Sequence, residues 1–82
     1  MPTITRIGSF RVVIYTNDHR PAHVHVMGTG REAVFLLNCP DGPIECRENF
    51  GFSQVEANRL TEPLMQCREF LCAAWRRTHG DF

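Results

Sequence analysis

The sequence predicts an α+β fold, an antiparallel β-meander of three to four strands packed on a C-terminal helix that is kinked or split near Pro63. Three observations carry this expectation. Side chains in the first half alternate with the two-residue period of strands, as in Phe10, Val12 and Ile14 against Arg11, Val13 and Tyr15. The segments between those strands are short clusters of turn formers, which suit hairpins and leave no room for crossover connections. After Gly51 the apolar spacing lengthens to three, four and five, and a helical face emerges.

The first strand runs from Phe10 to Thr16 and is β-branched and aromatic. Asn17-Asp18-His19-Arg20-Pro21 breaks it with turn formers and a proline that holds Arg20 out of helical geometry. A second strand follows from about Ala22 to Met27. Gly28-Thr29-Gly30 turns the chain into a third strand, Glu32 to Leu37, and Asn38-Cys39-Pro40-Asp41-Gly42-Pro43 returns it antiparallel as Ile44 to Arg47. Ser53-Gln54-Val55-Glu56 has the form of a capping box, with Phe52 at the staple position before it. Val55, Leu60, Leu64, Cys67, Leu71, Ala74 and Trp75 trace one face of a helix from about Gln54 to Arg77. Pro63 costs such a helix about 3 kcal/mol in its interior. A kink or a second helix capped by Thr61 is therefore expected.

With 82 residues the chain is read as a single domain, 1–82, with one modest core. Its 43% hydrophobic and 22% charged residues are those of a globular protein, neither disordered nor membranous. No apolar run has the length of a membrane span and no basic-then-apolar leader opens the chain, so the expected location is cytoplasmic, with no membrane partner. Cys39, Cys46, Cys67 and Cys72 lack paired CxxC spacing and read as reduced thiols, although Cys39 and Cys46 flank a turn and are able to face each other. The zero net charge hides an asymmetry. Residues 1–31 carry four Arg against one Asp, whereas residues 32–82 carry five Arg against eight acids. Lysine is absent, and every fixed side-chain cation is a guanidinium suited to bidentate phosphate or carboxylate contact.

Three of the four histidines fall within seven residues, His19, His23 and His25. On a strand, residues two apart share a face about 6.5–7 Å apart. Val24 and Val26 are thus expected in the core, with His23 and His25 in solvent on the opposite face, beside Arg11 and Tyr15. The block Asn17-Asp18-His19-Arg20-Pro21-Ala22-His23-Val24-His25-Val26 resembles the N-D-H-x-P-x-H-V-H-V signature of a small bacterial family of unknown-function domains. Further likeness lies in Met1-Pro2-Thr3-Ile4, Glu32-Ala33, Glu48-Asn49-Phe50-Gly51-Phe52-Ser53 and Trp75, so that it covers nearly the whole chain. Members are proposed to be DhiT-like toxins of type II toxin–antitoxin pairs. The resemblance implies a cytosolic toxin, a cognate antitoxin protein as partner, and RNA or translation as target. Two departures are Pro63, where relatives keep an uninterrupted helix, and Ala22, where a second proline is common.

A metal-independent endoribonuclease needs a base for the 2′-hydroxyl, an acid for the leaving oxygen and a cation on the phosphate. His23 and His25 are the expected acid–base pair, with His19 as their loop partner, because imidazole titrates near neutrality. Arg20 is the expected phosphate anchor, Arg11 a further phosphate contact, and Tyr15 a platform for a base. This reading needs no metal and no cofactor. Two others compete with it. His23 and His25, joined by His19 or Asp18, have the makings of a zinc or nickel site; alternatively the histidines order the loop of a noncatalytic protein-binding module.

Overall fold

The computed structural model describes residues 3–82, so Met1 and Pro2 of the opening landmark lie outside the described residues. Five strands, β1 (Thr3–Ile7), β2 (Phe10–Val13), β3 (His23–Gly28), β4 (Arg31–Leu36) and β5 (Glu45–Phe50), precede two helices, α1 (Gln54–Gln66) and α2 (Arg68–His79). The strands form one antiparallel sheet in the order β1-β2-β3-β4-β5, each beside its neighbour in sequence. This is the expected meander on C-terminal helices, with one strand more than expected. Thr3–Ile7 escapes notice because a lone five-residue segment offers too few alternations to stand out.

Turn chemistry sets the register. Gly28 pairs with Arg31 around Thr29 and Gly30, and Gly30 adopts a φ of 68°, which glycine accepts without a Cβ clash. Gly28 is needed for a different reason, since a Cβ there would lie 2.7 Å from the Phe10 ring. With that register fixed, Val24, Val26, Ala33 and Phe35 fall on one face together with Val12, all fully buried. Ala57, Leu60, Leu64, Leu71, Ala74 and Trp75 from the helices close over that face. Among the described residues, no helix is long and apolar enough to cross a membrane.

The helices differ from expectation in two respects. Val55 is 57% exposed, and the buried stripe of α1 begins instead at Ala57 and continues through Leu60 and Leu64. Five residues of helix rotate by about 140°, which carries Val55 away from Leu60. The split also comes later than Pro63. Pro63 lies inside α1, Thr61 caps nothing, and the break falls at Cys67, where φ −109° and ψ 19° leave helical geometry. The Cys67 N–H still donates to the Pro63 and Leu64 carbonyls at 3.3 and 3.2 Å, so the seam keeps backbone hydrogen bonds across it.

The expectation of four reduced thiols is corrected. Cys39, in the loop after β4, is joined to Cys72 of α2, while Cys46 and Cys67 are free. The two partners lie 33 positions apart and meet only because α2 docks against that loop. No local spacing announces such a pair.

The capping box forms as expected, with the Glu56 N–H on the Ser53 hydroxyl at 3.1 Å and the Ser53 N–H on Glu56 Oε1 at 3.0 Å. Arg31 ties this cap to the sheet. Its guanidinium lies over the Phe10 and Phe52 rings at 5.2 and 5.0 Å and pairs with Glu56 Oε2 at 2.6 Å. The Ser53 N–H and then Arg31 hold the Glu56 carboxyl below the ordinary glutamate range. A depressed folded-state value means that this contribution to stability is complete above the unfolded value and is lost as pH falls through the folded one. Ser53→Ala is expected to cost about 1 kcal/mol in urea unfolding. Glu56→Gln is expected to flatten the acid limb of stability against pH, and an unchanged acid limb would contradict the assignment.

Candidate functional site

The loop between β2 and β3 folds Asp18 back over the end of the sheet. The Asp18 N–H donates to the Tyr15 carbonyl at 3.1 Å, and the Tyr15 N–H donates to Asp18 Oδ2 at 2.9 Å. This reciprocal turn follows from the aspartate's capacity to bond the backbone of its own loop. The carboxylate is thereby fixed above β3, where His23 and His25 present their rings.

Both rings are held from behind. His23 Nδ1–H donates to the Pro21 carbonyl at 2.8 Å, and His25 Nδ1–H donates to Glu32 Oε2 at 2.9 Å. A carbonyl and a carboxylate only accept, so each Nδ1 carries the proton. The Nε2 atoms then face Asp18, His23 at 3.5 Å from Oδ1 and His25 at 3.2 Å from both oxygens. The ring centroids are 5.3 Å apart, and ligand atoms of Asp18, His23 and His25 all lie within 4.8 Å of one another. Burial pushes the Asp18 carboxyl up, but the Tyr15 N–H, His25 and His23 together outweigh it and hold it below the ordinary aspartate range.

The cluster is less open than the alternation of β3 implies. Val24 and Val26 enter the core as expected, but His23 is only 7% exposed, not in free solvent. Its ring sits 5.1 Å from that of Trp75, and Trp75 lies 4.2 Å from His79. His79 Nε2–H donates to the Tyr15 carbonyl, Trp75 Nε1–H to the Asp81 carbonyl, and the Ala22 N–H to the Phe82 carbonyl. The end of α2 and the chain after it thus wrap this end of the sheet. Strand periodicity assigns a side chain to a face without revealing what covers that face.

The other expected site residues are divided between two places. His19 and Arg20 are exposed and do not join the cluster. With Asp18, His79 and Asp81 they line a cleft of about 330 Å³. Tyr15 does stand beside His25, at 4.9 Å between ring centroids, with its hydroxyl donating to Met27 Sδ. Arg11 is not across from the histidines as expected. The register sets it opposite Met27, and Val13 takes the place opposite His25. Arg11 instead lines a separate groove with Arg6 and Ser9.

Glu32, Trp75 and His79 do not announce themselves as site residues in the sequence. For Glu32 a signal existed, because a two-residue hairpin at Thr29-Gly30 sets Glu32 opposite Met27 and on the face of His25. Trp75 and His79 carry only a helical period, and which sheet residue they meet is a matter of docking. No curated protein and no solved structure matches the chain. Residues 9–76, which contain the Asp18–His23–His25 cluster and its Trp75 cover, match the family described as a domain of unknown function, DUF4160, and the chain belongs to that family.

Proposed function

We propose that this chain is the toxin-like member of a type II toxin–antitoxin pair, acting in the cytoplasm as an endoribonuclease. One observation carries the reading. Asp18 belongs both to the cluster with His23 and His25 and to the open cleft with His19 and Arg20, so one carboxylate links the imidazole pair to a space lined by a further imidazole and a guanidinium. In RNA cleavage the 2′-oxygen attacks phosphorus and the bond to the 5′-oxygen breaks. A base takes the 2′ proton, an acid supplies one to the 5′-oxygen, and a cation balances the charge on the phosphoryl oxygens. His25, steadied by Glu32, stands on the base side with Asp18; His19, exposed at the rim, is the acid; Arg20 anchors the phosphate. His23, sealed under Trp75, positions Asp18. Arg11 with Arg6 offers a place for a neighbouring phosphate. The cognate antitoxin has an accessible partner surface in β5, exposed along its whole length and carrying Glu45 and Glu48.

End-labelled RNA incubated with the purified protein tests this. Cleavage to a 2′,3′-cyclic phosphate is expected, falling at least about 100-fold in His25→Ala and sharply in Arg20→Ala. Equal residual cleavage in the wild type and His25→Ala, with both folded by circular dichroism, would end the nuclease reading. The burial of His23 favours a second reading, a noncatalytic protein-binding module in which the histidines are structural. In that case His23→Ala lowers thermal stability, no RNA is cut, and the antitoxin still binds.

A further inference from the structure

We propose that Asp18, His23 and His25 form a binding site for one divalent transition-metal ion of the zinc class. The inference goes beyond the RNA reading and does not depend on it; an ion on His25 Nε2 takes the lone pair that reading gives to the base, and the closing experiment tells the two apart. Its first support is the state of the ring nitrogens. Because both Nδ1 atoms donate to acceptors, the neutral form of each ring, which is the form that binds a metal, turns its Nε2 lone pair toward the Asp18 carboxylate. In that form three electron-rich atoms gather within 4.8 Å of one another and repel. A cation among them converts that repulsion into coordination.

Distance favours a metal over a shared proton at His23 and admits either at His25. Charge-assisted N–H···O bonds run to about 2.7–2.9 Å, and the contacts from Nε2 to Asp18 are 3.5 and 3.2 Å. The edge of a tetrahedron with metal–ligand bonds of ~2.0–2.1 Å is ~3.3–3.4 Å. The two separations to Asp18 bracket that edge, and all three ligand atoms lie within 4.8 Å of one another. Asp18 Oδ2 is already engaged by the Tyr15 N–H, which leaves Oδ1 as the ligating oxygen.

The surroundings are those a metal site needs. Ligating imidazoles are held by an acceptor on the opposite nitrogen, and here Glu32 and the Pro21 carbonyl serve. The side chains of His23, His25 and Asp18 are 9%, 14% and 12% exposed, so water competes little for the ligands. Two imidazoles and one carboxylate suit zinc, cobalt, nickel or ferrous iron and do not suit calcium or magnesium, which take oxygen ligands. Three protein ligands leave a coordination position open, and Asp18 also lines the cleft with His19 and Arg20.

Untagged protein carrying Cys46→Ser, so that the exposed thiol does not compete, is stripped with chelator and titrated with cobalt(II). One ion per chain is expected, with visible absorption of a low-coordinate nitrogen and oxygen site, displaced by zinc and not by magnesium. Binding is expected to be lost in Asp18→Asn and His25→Ala, weakened about 10–100-fold in Glu32→Gln, and retained in Glu48→Gln, whose carboxylate lies outside the cluster. The spectrum of the parent protein keeps the test decisive even if a variant fails to fold. A parent that binds cobalt no more tightly than His25→Ala overturns the proposal, as does a spectrum unchanged by Asp18→Asn. Stoichiometric binding without RNA cleavage leaves the metal site standing and removes the nuclease; cleavage in chelator by protein that takes up no cobalt does the reverse.

Discussion

Trp75→Ala is expected to lower the unfolding free energy by about 3–5 kcal/mol, the range for removing a fully buried large aromatic. Against roughly 4–12 kcal/mol of total stability for a domain of 82 residues, that is a large share. Trp75 is 0% exposed and stands where the core meets the site. Its ring packs on His23 and His79, and its Nε1–H satisfies the Asp81 carbonyl. Truncation therefore leaves a cavity, an unpaired carbonyl and an uncovered imidazole together. Urea unfolding of the two proteins measures the loss. A difference under about 1 kcal/mol would contradict the packing described. Because His23 loses its wall in the same variant, cobalt binding at Asp18, His23 and His25 is expected to weaken along with stability.

Removing the Cys39–Cys72 link, by reductant or by Cys72→Ser, is expected to cost ~3–4 kcal/mol, the loop-closure value for a separation of 33 residues. The reason lies mainly in the unfolded chain, which gains freedom once the loop after β4 is no longer tied to α2. Thiol titration gives an independent check. The native oxidised protein is expected to expose at most the two free thiols, Cys46 and Cys67, and the reduced, unfolded protein all four. Four reactive thiols in native protein kept free of reductant would show that the link is absent. In a reducing cytoplasm the pair would be open, and unfolding with reductant present then gives the stability relevant there.

Much of the architecture is legible because it rests on local rules. The alternation through Val24 and Val26, the glycine turn that starts β4 and the Ser53–Glu56 cap each depend on a few neighbouring residues, and the folded chain retains them. Thr3–Ile7 leaves little trace in the sequence because one short strand has little pattern of its own. The split expected near Pro63 comes one turn later, because a proline's penalty is local, whereas the position where a helix yields depends on what its two halves pack against. Cys67, not Thr61, marks that position.

The candidate site divides along the same line. Strand period and turn chemistry act over two to five residues, and they suffice to put His23 and His25 on one face, Asp18 in a turn beside them and guanidinium groups as the cations nearby. Folding of the whole chain adds that Asp18 lies against both imidazoles, that Glu32 accepts from His25 Nδ1, that Trp75 covers His23, and that Arg11 lies elsewhere. Those relations depend on strand register and on where α2 docks. Both are set by burial of the whole apolar face, a property that no short stretch of the chain possesses.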